Sequence, residues 1–223
     1  MARLPRLEWP GQLHYLVLRG HGALAGQGVF TDAVDRQAFV AALREAAAAE
    51  AVRVYAYALL HDEAQLLVTP TESGALGRLM QAVGRRYVSA YNRRHGHRGS
   101  LWAGRFHSAS VEAGASGLAA LRLVDGASAE AGATSAGSRT GAPRETWLVD
   151  LPEVWALGNT PFEREAAYRG LLAEGVTPAQ AEGLRRAALG GWAWGSADFL
   201  AAAERATARP AAPRVRGRPR KLP

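Results

Sequence analysis

The chain has 223 residues and a formal net charge of +7, from 27 lysines and arginines against 20 aspartates and glutamates. Hydrophobic residues make up 48%, which supports a buried core and excludes wholesale disorder, and the length holds one large domain or a domain with an appendage. The absence of cysteine excludes a disulfide scaffold, a zinc–thiolate site and a thiol nucleophile, while the lack of a long apolar run or a signal-like Met1–Gly11 points to a cytoplasmic chain.

In chain order, His14–Arg19 is a short β-prone run closed by Gly20. Asp32–Glu50 carries Val34, Ala38, Phe39, Ala42, Leu43 and Ala46 at helical spacing. Val52–Leu60 alternates Val52, Val54, Ala56 and Ala58 against Arg53, Tyr55 and Tyr57, the pattern of a strand, and Gln65–Thr69 continues as a second one. Leu76, Leu79, Met80, Val83, Tyr87 and Tyr91 give Gly74–Arg94 one apolar helical stripe. A basic loop over His95–Ser100, a strand over Arg105–Val111 and a short helix over Leu118–Val124 follow.

Asp125–Pro143 is small, polar and aperiodic, and reads as a linker or a decayed element. Phe162–Ala173, Pro178–Leu189 and Ser196–Ala206 read as three short helices, with Pro178 in a first turn and Ser196 as an N-cap. Ala208–Pro223 carries four prolines and no periodicity, so it is expected to be disordered when free. The order βα-ββ-αβ predicts an α+β fold, a ferredoxin-like antiparallel sheet packed with helices, followed by a small helical C-terminal region and a basic tail. The expected division is 1–124, a linker over 125–151, a helical region over 152–207 and the tail over 208–223.

The charge is unevenly placed. Between Glu72 and Glu112 stand Arg78, Arg85, Arg86, Arg93, Arg94, Arg98 and Arg105 with three histidines and no acid, and from Arg205 onward there are seven basic residues and no acid. Outside those stretches 13 basic residues face 20 acidic ones, the asymmetry of a polyanion binder. A solvated face or an arginine-rich genome composition is the competing explanation. Trp102 and Phe106 lie close to the arginines in sequence, where aromatic faces suit unpaired bases, although Trp102 reads slightly better as a core anchor.

Several separated motifs then carry a resemblance. Gly11-x-x-His14-Tyr15, Arg19-Gly20, Val29-Phe30-Thr31-Asp32 and Asp35-Arg36 are followed by Leu76-Gly77-Arg78-Leu79-Met80-Gln81 and Gly84-Arg85-Arg86-Tyr87-Val88. Tyr91-Asn92-Arg93-Arg94-His95-Gly96, Gly99-Ser100-Leu101-Trp102-Ala103-Gly104-Arg105-Phe106, Ala156-Leu157-Gly158-Asn159-Thr160 and Gly190-Gly191-Trp192-Ala193-Trp194 continue the series. In this order they resemble the REP-associated tyrosine transposases, single-tyrosine HUH enzymes of small bacterial insertion sequences; only Asp125–Leu151 fits poorly. The resemblance implies action on single-stranded DNA flanking palindromic hairpins. It also implies a divalent metal such as magnesium on a His-hydrophobic-His pair, and a helix-borne tyrosine nucleophile.

Both catalytic signatures are replaced. Against the family's strand, Leu59-Leu60-His61-Asp62-Glu63-Ala64-Gln65-Leu66-Leu67 puts Glu63 and Gln65 at the ligand positions. Counting on from Arg105, the family's Arg-Tyr-Ile-x-x-Asn-Pro falls on Arg122-Leu123-Val124-Asp125-Gly126-Ala127-Ser128, so the nucleophile's position is Leu123. No catalytic residue, metal or other cofactor is therefore expected. Tyr87 and Tyr91 sit on the apolar stripe and read as core. The expected partner is single-stranded or hairpin DNA, nucleoid-associated, through Arg78, Arg85, Arg86, Arg93, Arg94, Arg98 and Arg105. Arg216-Gly217-Arg218-Pro219 looks like an AT-hook, placing Arg216 and Arg218 in an A·T minor groove. A homodimer stays open. The alternatives are an active transposase or nicking enzyme with oxygen ligands at Glu63 and Gln65, and a protein-interaction role without DNA.

Overall fold

The computed structural model describes residues 6–21, 28–127 and 133–213. The inner unit comprises β1 (Leu13–Arg19), α1 (Ala33–Ala49), β2 (Val52–Leu59), β3 (Glu63–Pro70), α2 (Ala75–His95) and β4 (His107–Val111). There follow α3 (Ala115–Asp125), β5 (Ala133–Thr134), α4 (Gly137–Thr140), α5 (Pro152–Trp155), α6 (Pro161–Glu174), α7 (Pro178–Gly190), β6 (Ala193–Trp194) and α8 (Ala197–Thr207). The sheet runs β5-β2-β3-β1-β4-β6. Its inner four strands pair antiparallel in the ferredoxin-like order, and the added β6 pairs parallel with β4.

Both faces of this sheet are covered, which is why the strands are buried almost end to end instead of alternating with solvent. On the first face Leu16, Leu18, Leu66 and Val68 pack with Phe39 and Leu43 of α1 and Leu79, Val83 and Tyr87 of α2. On the second, Tyr15, Val17, Leu67 and Ala109 pack with Leu121 of α3, Tyr168 of α6 and Leu184 of α7. The helical region 152–207 is thus built onto the sheet.

The alternation expected in β2 is broken by a bulge between Val54 and Ala56. Val52, Val54, Tyr57 and Leu59 join the first core, whereas Tyr55, Ala56 and Ala58 join the second. The extra residue inverts the parity, so Ala56 and Ala58 do not share a face with Val52 and Val54.

The linker expectation for 125–151 is corrected in its described residues. Asp125, at the end of α3, accepts from Ser135 Oγ at 2.6 Å, Tyr168 Oη at 2.7 Å and Arg139 at 3.1 Å. Arg139 also meets Asp150 at 2.9 Å and donates to the Tyr55 carbonyl beside the bulge. A buried charge pair with this many hydrogen bonds fixes a segment that has no apolar periodicity of its own. The disorder expected from Ala208 onward is likewise corrected for 208–213. Ala211 is buried with Leu7, Phe199 and Ala203, and its carbonyl accepts from the Ala193 N–H at 2.8 Å.

Candidate nucleic-acid interface

α2 carries its core residues on one stripe and its arginines elsewhere. Its C-terminal cap is Gly96, in the left-handed conformation at φ 63°, and three basic residues in the last turn face the negative end of the helix dipole. The seven arginines of this region divide into two groups. Arg78 pairs with Glu50 at 2.6 Å and with Glu72, and Arg86 reaches Glu45 at 3.7 Å. Arg94 donates to Asp32 at 2.9 Å and Asp35 at 2.6 Å, and Asp35 also receives Thr31 and His95.

The acid-free stretch in sequence is therefore not acid-free in space, because α1, its two caps Asp32 and Glu50, and Glu72 before α2 supply carboxylates. The hydrogen bond from Arg94 holds the Asp32 carboxyl down at about 2, helped by the cap bonds from Asp35 and Val34. Burial alone would raise Asp35, yet the hydrogen bonds from Thr31, His95 and Arg94 keep it below the ordinary carboxylate value. These contacts make Arg94 a clamp between α2 and the start of α1.

Arg85, Arg93, Arg98 and Arg105 are exposed and, among the described residues, meet no carboxylate. Arg85 and Arg93 are separated by about 12 Å along the helix axis. Arg98 and Arg105 lie in the loop before β4, which Asn92 steadies by donating to the Gly99 carbonyl at 3.1 Å, and Arg105 lines a cleft with Gly77, Met80 and Gln81 of α2. Arg216 and Arg218 lie outside the described residues.

Trp102 belongs mainly to the core. It sits 6.3 Å from both Phe30 and Phe39 and 6.2 Å from Tyr87, centroid to centroid. Its other edge lines a cleft with Arg6, Arg105 and Phe106. Tyr87 and Tyr91 are buried, and both hydroxyls are engaged. Tyr87 donates to the Val29 carbonyl and Tyr91 to the Gly28 carbonyl at 2.9 Å, so they tie down the segment entering α1. Burial pushes both phenols up, away from the phenolate that a nucleophile needs.

Glu63 and Gln65 share the second face of the sheet, as period-two alternation demands. Arg185 of α7 donates to Glu63 Oε1 at 2.5 Å, Arg19 of β1 stands 3.4 Å from Oε2, and the Gln65 amide donates to Oε1 at 2.7 Å. Two guanidinium groups thus occupy the surroundings of the single carboxylate. Gln65 Oε1 and the Tyr15 hydroxyl are buried there without a hydrogen-bond partner, and no cluster of three metal-binding side chains exists among the described residues. A divalent cation does not fit this arrangement: it would have one carboxylate and one amide oxygen, with Arg185 already at the carboxylate. Leu123 of α3 packs against the second core and contributes no reactive atom.

The sequence reading missed Arg185 and Arg19, since nothing in a linear motif marks an arginine that reaches another element. Register offers the one available signal: Arg19 stands opposite Glu63 once β1 and β3 are paired.

No protein-family model and no curated protein matches the chain. Among solved structures, it is similar to a REP-associated tyrosine transposase bound to a REP hairpin, with 11% identity and a TM-score of 0.42. The match covers 56% of this chain and 70% of that one, and the likeness is a distant one of fold. Among the described residues, no helix is long and apolar enough to cross a membrane.

Proposed function

We propose that this chain binds single-stranded or hairpin DNA through the exposed end of α2 and the loop that follows, and that it does so without cutting the strand. The observation that carries the reading is the division among the arginines. Arg78, Arg86 and Arg94 of α2 find carboxylates of the fold; Arg85 and Arg93 on the same helix, and Arg98 and Arg105 in the segment after it, are exposed and meet none among the described residues. Such arginines suit the phosphates of a flexible strand, which guanidinium groups take in bidentate fashion. The loss of strand cutting is supported by Leu123 at the position of the family's nucleophile and by Arg185 against Glu63.

The test is fluorescence anisotropy of a labelled palindromic hairpin with single-stranded flanks, against a scrambled strand, over a range of salt. Four phosphate contacts give a log–log salt slope of about −3, and Arg85→Ala with Arg93→Ala reduces its size by about 1.4. Flat salt dependence, or double-variant binding identical to wild type, sinks the binding reading. Magnesium-dependent cleavage of the hairpin, abolished by Glu63→Ala, would restore the enzymatic alternative.

A further inference from the structure

α1 and the chain over 144–147 face one another across a cleft of about 760 Å³, at the end of the sheet where β2 meets β5. Among the described residues no part of α2 lines it, so it is separate from the arginines of the α2 surface.

One wall is a side of α1. Gln37, Val40, Ala41 and Arg44 stand three and four residues apart, which puts them on one strip of the helix, and the small side chains in its middle leave a slot. The other wall is aromatic. The rings of Tyr57 and Trp147 stack with centroids 6.1 Å apart and planes 10° from parallel. A single carboxylate pins both: Glu145 accepts from Tyr57 Oη at 2.7 Å and from Trp147 Nε1 at 3.1 Å. Tyr57 is buried and Trp147 half-buried, so the indole is the ring that a ligand reaches. A flat face held in place in this way has little ordering cost left to pay on binding.

The charges divide between the walls. On α1, Glu45 meets Arg86 and Glu50 meets Arg78, both from α2, while the exposed Arg44 meets no carboxylate among the described residues. Across the cleft, Arg144 is held by Asp150 at 2.7 Å, and Glu145 has an oxygen engaged at each ring donor. An anionic group is therefore favoured at the α1 wall and a neutral ring at the aromatic one. The Gln37 amide, which donates and accepts, suits the polar edge of such a ring.

We propose that this cleft binds a nucleotide, with its base on Trp147 against Val40 and Ala41 and its phosphate at Arg44. An apolar ring alone leaves Arg44 unused, and a bare anion leaves the indole face unused. The volume is in the range of small-molecule sites. The nucleotide comes either from solution or from a single strand, and the site itself does not rest on the DNA-binding reading.

The full chain is titrated by calorimetry with dAMP, with deoxyadenosine and with the base-free sugar phosphate, and by anisotropy with a short labelled oligodeoxyadenylate. Wild type, Arg44→Gln, Trp147→Leu, and Arg85→Ala with Arg93→Ala are compared. Arg44 is exposed, so its variant keeps the fold and decides the outcome if Trp147→Leu loses it. Wild type should bind dAMP about tenfold more tightly than either fragment. Arg44→Gln should remove the advantage over deoxyadenosine, Trp147→Leu the advantage over the sugar phosphate, and the α2 variant neither. No heat with dAMP, but oligodeoxyadenylate binding weakened about tenfold by Arg44→Gln, assigns the nucleotide to a strand and also supports the site. An α2 variant that matches wild type on hairpin DNA sinks the DNA-binding reading and leaves this site standing. Arg44→Gln matching wild type for both dAMP and the strand, or wild type that takes neither, overturns the proposal. So does a sugar phosphate that binds as tightly as dAMP.

Discussion

Arg185 on α7 donates to Glu63 at the head of β3 across 2.5 Å, joining residues 122 positions apart. Arg19 approaches the same carboxylate from β1, so two strands and a helix are tied at one point. Glu63→Ala leaves the Gln65 amide, on a buried side chain, without its acceptor, and should destabilise the chain by about 1–3 kcal/mol. Arg185→Ala leaves Arg19 in place and should cost about 0–1 kcal/mol, because Arg185 is 41% exposed. Urea midpoints of the two variants check this order; an equal or reversed order removes Glu63 as the centre of the tie.

Arg139 is a buried charge, with only 2% of its side chain exposed and Asp125 fully buried against it. Arg139→Ala strands that carboxylate and should cost about 3–5 kcal/mol. Denaturant unfolding followed by tryptophan fluorescence is a fitting measure. A loss near zero would mean that 133–151 does not pack as described.

Arg93 and Arg94 are neighbours with opposite expected behaviour. Arg94→Ala should lower the melting temperature and leave hairpin affinity nearly unchanged, while Arg93→Ala should weaken binding and leave melting unchanged. For Asp32 the folded carboxyl titrates at about 2, below the ordinary value of about 3.9. The stabilisation from Arg94 is thus present above about pH 4 and lost as pH falls through about 2. Asp32→Asn keeps a good N-cap, so the gap in melting temperature between it and wild type should close over that window.

His14 is fully buried. Its Nε2 accepts from the Trp9 N–H at 3.2 Å and its Nδ1 donates to the Gln12 carbonyl at 2.9 Å, which fixes the proton on Nδ1. Burial holds its pKa down at about 4. The unfolded chain takes up the proton near pH 6.5, so stability should fall by ~3 kcal/mol between about pH 6.5 and 4, and flatten below. In His14→Gln that slope disappears, whatever the variant's absolute stability. A slope unchanged in the variant would assign it to other groups.

Long periodic elements were legible in the sequence. Asp32–Glu50 gave α1 between its own caps, the apolar stripe gave α2, and Pro178 and Ser196 began α7 and α8 as read. What escaped was structure held by partners far away in sequence. β5 and β6 are two residues long and exist because β2 and β4 offer open edges. The bulge in β2 follows from packing both faces and leaves no mark in an otherwise alternating run. In the candidate site, the arginines were legible as residues but not in their two groups, because Glu45, Glu50 and Asp32 come from α1 and its two caps.

The parallel ladder between Ser110–Val111 and Ala193–Trp194 also has a consequence in time. A ribosome delivers β4 long before β6, so the nascent sheet carries an open flank while α3 through α7 are being made. An unpaired flank of that kind invites pairing with a second chain. Truncation between Glu112 and Trp192 makes that interval permanent, and such fragments should gather into aggregates even though the inner four strands are complete.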